Sequence, residues 1–123
     1  MQLKLLLFED DLFVSELIRE ICRKNEFEIT IVHSAVEAVS DFKKEKPDLV
    51  LMDIMLQGKN GIQAMKEIKK HMPKAVVIAI TAMAMLGDKE NLLSEGFDDY
   101  IPKPFDLKQF VEKLNLWYLK KQS

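Results

Sequence analysis

Four places in this sequence carry side chains able to do chemistry together: Glu9-Asp10-Asp11, Asp53, Thr81 and Lys103. Three carboxylates brought within about 5 Å of one another would repel by about 3 kcal/mol per pair at an effective dielectric of about 20. Such a cluster needs a cation. All-oxygen ligands favour a hard ion, and a site with few carboxylates that leaves room for water and phosphate oxygens suits Mg2+ better than a fully caged Ca2+. Glu9, Asp10 and Asp53 would supply about −3, which one divalent ion and Lys103 would balance, letting a phosphoryl group approach. A carboxylate can then act as nucleophile and form an aspartyl phosphate while cations hold the transferring oxygens. Thr81 can donate a hydroxyl hydrogen bond to a phosphoryl oxygen.

These residues meet only if the fold brings them to one edge. The sequence alternates short β-rich apolar runs with longer segments of helical period, five times over. That rhythm predicts a doubly wound α/β domain, a parallel sheet with helices on both faces. The strands are Leu3 to Phe8, a second run containing Phe27, Ile29 and Ile31, then Leu49 to Met52, Val76 to Ile80 and Asp99 to Pro102. Alternation with Glu28 and Thr30 marks the second strand as an edge, whereas the solid third and fourth runs belong inside. Open sheets of this kind bind ligands beyond the carboxyl ends of their strands. The acidic triplet, Asp53, Thr81 and Lys103 all follow such ends.

The helices have readable limits. The first places Val14, Leu17, Ile18, Ile21 and Cys22 on one stripe, with Asp11 as N-cap and Asn25 as stop. Ser34 and Glu37 form a capping-box pair that should open the second, which Pro47 bars from continuing. The third uses Ile62, Met65, Ile68 and Met72 and ends before Pro73; the fourth covers roughly Met83 to Ser94, with Gly96 as a left-handed cap. Asp106 caps the last helix, which lines up Leu107, Phe110, Val111, Leu114 and Tyr118.

Composition sets the bounds. The chain has 123 residues, 18 Lys and Arg against 20 Asp and Glu, and a single Cys. A domain this size buries about two-thirds of its unfolded surface and needs neither disulfide nor structural metal. A lone Cys22 fits a reducing cytosol. The run from Ala75 to Leu86, broken by Thr81, is too short for a membrane span, which needs about 18 apolar residues. A net charge of −2 lacks the basic footprint of direct nucleic-acid binding. Proteins or small anions are the expected partners.

The stretches Leu5 to Asp11, Asp48 to Met55, Ile80-Thr81-Ala82 and Asp99 to Phe105, in that order and spacing, resemble the receiver domain of two-component response regulators. The resemblance covers nearly the whole chain and implies a flavodoxin-like strand order 2-1-3-4-5. It further implies that Asp53 accepts phosphate from a phosphohistidine of a sensor histidine kinase or histidine phosphotransfer protein, with Mg2+ held by Glu9, Asp10, Asp53 and the Met55 carbonyl. Lys103 would pair with the phosphoryl oxygens and Thr81 would reorient toward them. Small Ala82 would leave room, Tyr100 would turn inward, and Lys103-Pro104 would be a cis peptide. A downstream protein would then read the surface of the fourth helix, fifth strand and fifth helix. Gln57 and Asn60 depart from the family's usual proline and aspartate, which puts the rigidity of the loop after Asp53 in question.

A magnesium-dependent phosphatase with an aspartate nucleophile is the alternative. Those enzymes place a second aspartate two residues on, where Met55 stands here, so turnover should be poor. A flavin module of the same strand order would find its phosphate repelled by Glu9-Asp10-Asp11. The chain ends one helix after Lys103, so the expectation is one receiver domain over residues 1–123 without an output domain, either stand-alone or cut from a longer protein such as a hybrid histidine kinase, acting in the cytoplasm as a switch rather than an enzyme. Apolar Met55 and Met83 should leave water unassisted and the phosphorylated state long-lived. Cys22 reads as inert packing, His33 and His71 as surface residues, and Asp98 and Asp99 as a solvated turn.

Overall fold

The computed structural model describes residues 2–82 and 88–122. Its elements run β1 (Lys4–Phe8), α1 (Leu12–Lys24), β2 (Glu28–Val32), α2 (Ala38–Glu45), β3 (Leu49–Asp53), α3 (Gly61–His71), β4 (Val77–Thr81), α4 (Asp88–Glu95), β5 (Asp99–Pro102) and α5 (Leu107–Gln122). The strands form one parallel sheet in the order β2-β1-β3-β4-β5, with β2 at an edge. Successive strand residues point to opposite faces. Leu6, Phe8, Val50, Met52, Val77 and Ala79 therefore enter one core with α2, α3 and α4. Leu5, Leu7, Leu49, Leu51, Ile78 and Ile80 enter the other with α1 and α5. Both faces of β3 and β4 are buried, as their solid apolar runs require.

Most of the expected boundaries hold. Asp11 Oδ1 accepts the Val14 N–H at 3.1 Å and caps α1, Asn25 closes that helix, and Asp106 Oδ1 accepts the Gln109 N–H at 3.0 Å. Gly96 follows α4 with φ +127°. The capping box does not form. Ser34 Oγ accepts the N–H of Val36 at 3.2 Å, which spends the hydroxyl on a local turn. Helix α2 consequently begins at Ala38 behind Glu37, whose side chain makes no cap hydrogen bond. The stretch assigned by sequence to the start of the fourth helix, with Met83, Met85 and Leu86, lies outside the described residues.

Asp98 and Asp99 are not a solvated turn. Asp98 Oδ2 accepts the Val77 N–H at 2.8 Å and lies 2.6 Å from Lys69 Nζ. Asp99 takes the Trp117 indole N–H at 2.8 Å, the Tyr100 N–H at 2.8 Å and Lys113 Nζ at 3.2 Å. At the amino end of the sheet the two carboxylates tie β4 to α3 and β5 to α5. Burial disfavours the Asp99 charge, but these donors together outweigh it and hold the carboxyl below its ordinary range.

Candidate functional site

Strand register assembles the site. Phe8 pairs with Met52, so Glu9 follows β1 beside Asp53, the last residue of β3. Asp53 pairs with Ile80, Thr81 pairs with Pro102, and Lys103 follows. The Lys103 N–H donates to the Thr81 carbonyl at 2.8 Å, which fixes the loop after β5. One carboxyl edge thus carries Glu9, Asp10, Asp53, Thr81 and Lys103, and the Lys103-Pro104 bond is cis, as the resemblance implied.

One carboxylate oxygen each of Glu9, Asp10 and Asp53 lies within 4.8 Å of the others. Glu9 is fully buried and Asp53 is 4% exposed. Glu9 Oε2 accepts the Asp11 N–H at 3.3 Å, whereas Oε1 has no hydrogen-bond donor. Lys103 Nζ stands 2.9 Å from Oε1 as an ion-pair contact outside hydrogen-bonding angles, and 3.7 Å from Asp53 Oδ2. A buried carboxylate oxygen with nearby charge but no directed donor is an expensive arrangement. Burial, a hydrogen bond to Asp53 and repulsion from it push Glu9 up to about 7, against the pull of Lys103 and the Asp11 N–H. Burial opposes the Lys103 ammonium, but Glu9 and Asp53 outweigh it and hold its pKa above the ordinary lysine value.

The acceptor loop is tied at several points. The Met55 N–H donates to Asp53 Oδ1 at 3.1 Å, which orients the carboxylate and leaves Oδ2 toward Lys103. The Gln57 N–H reaches Asp10 Oδ2 at 3.4 Å. Asn60 Oδ1 accepts the Gln63 N–H at 2.8 Å and caps α3, and the Gly61 N–H donates to the Ile54 carbonyl at 3.1 Å. Gln57 and Asn60 thus each supply a tether of this loop: a backbone N–H that proline would lack, and a capping side chain that asparagine supplies as well as aspartate does. Gly61 escaped the reading of the sequence. Its close approach to Asp53 is a tertiary fact, and the only local signal was a glycine directly after a capping asparagine.

Thr81 is 2% exposed at the end of β4, and Ala82 is exposed beside it. Tyr100 is half-buried against the α2–α4 core, with Lys113 Nζ 5.0 Å and Lys89 Nζ 5.6 Å from its ring centroid. Lys113 Nζ also donates to the Tyr100 carbonyl at 2.8 Å. Asp11 serves α1 as a cap. Cys22 is fully buried, and burial pushes its thiol up to about 12. His33 is exposed, though its Nδ1 lies 2.9 Å from the Glu9 carbonyl, and His71 is exposed on α3.

The response regulator receiver domain family matches residues 5–115. The chain belongs to that family. This receiver is 33% identical over 113 residues to the chemotaxis protein CheY of Listeria monocytogenes, covering 91% of the present chain and 95% of CheY. It is also 33% identical over 114 residues to the polar-differentiation response regulator DivK of Brucella ovis, covering 89% and 90% of the two chains. Among solved structures, the receiver domain of a Pseudomonas aeruginosa sensor histidine kinase superposes with a TM-score of 0.86 at 31% identity, covering 96% and 98%. That structure has a magnesium ion coordinated in its active site cleft. The present chain is thus a signalling domain of two-component systems, with the sheet order expected of it.

Proposed function

We propose that this receiver is a phosphorylation-activated switch in which Asp53 accepts a phosphoryl group from a phosphohistidine of a sensor histidine kinase or histidine phosphotransfer protein. The observation that carries the reading is the buried Asp53 carboxylate, oriented by the Met55 N–H and faced by Lys103. In the transfer, the phosphorus–nitrogen bond of the donor breaks, its electron pair stays on the imidazole, and a new bond joins phosphorus to an Asp53 oxygen. Lys103 supplies a fixed ammonium against the charge of the transferring oxygens.

The undonated Glu9 Oε1 and the three converging carboxylates fit a hard cation. Mg2+ would be held by Glu9, Asp10, Asp53 and the Met55 carbonyl. When bound, it would neutralise negative charge on the phosphoryl oxygens. The Pseudomonas relative carries magnesium in the corresponding cleft, which supports the assignment.

Thr81 then donates its hydroxyl to a phosphoryl oxygen, and Tyr100 moves inward. That motion gives up the Lys113 and Lys89 contacts on its ring and alters the face of α4, β5 and α5 that a downstream protein reads. Phosphate supply by such a kinase or phosphotransfer protein would have this receiver act in the cytoplasm. Residues 1–123 act as one receiver unit. The phosphatase reading is disfavoured because Met55, 67% exposed beside the acceptor, offers no acid to a leaving group.

Incubation with phosphoramidate and Mg2+ followed by intact mass tests the proposal. A gain of about 80 Da that disappears in Asp53→Asn and in chelator is expected. No gain under those conditions, or a gain that persists in Asp53→Asn, would reject Asp53 as acceptor.

A further inference from the structure

Away from the acceptor edge, at the amino end of the sheet, lies a groove of about 770 Å³. Its floor is apolar: Phe42 from α2, Pro47, and Met72, Pro73 and Ala75 from the connection between α3 and β4. Phe42 and Met72 are half-buried and Ala75 and Pro47 are buried, while Pro73 is exposed, so most of the floor is recessed rather than protruding. Lys43, Lys46, Lys74 and Lys121 form the rest of the lining, and no carboxylate lines it. Lys43 and Lys46 come from the end of α2, whereas Lys121 comes from α5 on the opposite face of the sheet.

What marks this cluster is the convergence of four lysines without a carboxylate among the lining residues, on a chain whose net charge is −2. Among the described residues, none of these four ammonium groups is in an ion pair, a state they share with Lys24, Lys44, Lys70, Lys89, Lys108 and Lys120; in the groove such lysines surround an apolar floor. Lys46 also holds φ 48° and ψ 57° at the α2 C-cap, a left-handed position that favours glycine. Helix C-termini attract cations, which accounts for Lys43 and Lys121, but Lys74 belongs to no helix.

We infer that this groove docks an acidic segment of a partner protein, with an aliphatic or aromatic side chain seated on the apolar floor and flanking carboxylates against the lysines. A volume of this size admits one or two such side chains. Unpaired lysines on both flanks supply the charge complementarity. The recessed floor favours a peptide over a bilayer, since membrane-surface binding inserts apolar side chains that project. The groove lies at the end of the sheet opposite Asp53.

The full chain is titrated into a fluorescein-labelled nonapeptide with a central leucine and phenylalanine between glutamates. We expect saturable binding that weakens as salt rises, with amide shifts in residues 42–47 and 72–75. The combined Lys46→Glu, Lys74→Glu variant should bind at least about tenfold more weakly. Replacing the peptide's leucine and phenylalanine by serine should weaken it similarly. Lys108→Glu, an exposed change in the first turn of α5 and roughly 20 Å along that helix from Lys121, should leave binding unchanged. A loss in Lys108→Glu in proportion to its charge change, half that of the double variant on a logarithmic scale, would reduce the effect to net charge and overturn the inference. So would binding of phosphatidylserine vesicles without binding of the peptide, which would make this a membrane-facing surface.

Discussion

A Cβ on Gly61 would stand 2.1 Å from the Asp53 carbonyl oxygen and 3.0 Å from the Ile54 Cα. Helix α3 therefore begins in direct contact with the backbone that carries the acceptor. Both obstacles are main chain, so no side-chain rotation relieves them. Gly61→Ala should cost about 2–4 kcal/mol by forcing the first turn of α3 off the β3 end. Denaturant unfolding would measure this, and phosphoramidate labelling should slow along with it, because the displaced backbone also aims the Asp53 carboxylate. A fully stable, normally labelled Gly61→Ala protein would show that α3 can shift without moving the site.

The same carboxylate that would accept phosphate strains the metal-free fold. Glu9 and Asp53 are buried side by side with a single ammonium, Lys103, in contact with both. Asp53→Asn keeps the shape and removes one charge. It should raise the melting temperature of chelator-treated protein by about 3–5 °C, the equivalent of about 1 kcal/mol. Millimolar Mg2+ should raise the melting temperature of the unsubstituted protein by mass action and do much less for Asp53→Asn. A lower melting temperature in the variant would mean that the Lys103 contact outweighs the repulsion.

Asp99 predicts an acid sensitivity remote from the acceptor. Its folded pKa lies below the ordinary value of 3.8, because donation from Trp117, the Tyr100 N–H and Lys113 outweighs the burial that opposes ionisation. A depressed carboxylate stabilises the fold at any pH above its unfolded value and loses that contribution as pH falls through the folded one. Asp99→Asn should therefore destabilise the protein by about 1–3 kcal/mol at neutral pH and remove part of its stability loss below about pH 4. Trp117 fluorescence during urea unfolding at several pH values reads both effects. An Asp99→Asn profile parallel to that of the unsubstituted protein would remove Asp99 as a source of acid lability.

Why some of this was legible in the sequence and some was not follows from range. Apolar runs and their alternation set the sheet, because burial on one face or two is written into successive residues. The site residues were legible because each ends or directly follows a strand, and parallel register then brings them to one edge. The Ser34 and Glu37 pair misled because a hydroxyl can satisfy a turn as readily as a helix start, and the nearer donor, the Val36 N–H, won. Asp99 misled because its partners lie up to 18 residues away, on α5. The unpaired state of Lys46 and Lys74 has no sequence signature, since it depends on where every carboxylate ends up.

Met55 should set how long a phosphorylated state persists. Its main chain holds Asp53 Oδ1 at 3.1 Å, and its side chain, 67% exposed, stands beside the acceptor without any group that can orient or deprotonate water. Met83, two residues after Thr81, lies outside the described residues. Met55→Gln preserves length and the backbone N–H while offering an amide to an attacking water. Loss of phosphate after removal of the donor should accelerate by about tenfold, below the range of a dedicated general base. Intact mass against time measures it, with chelator-treated samples fixing the uncatalysed baseline. An unchanged rate in Met55→Gln, at equal starting phosphorylation, would show that water reaches the acyl phosphate by a route this side chain does not control.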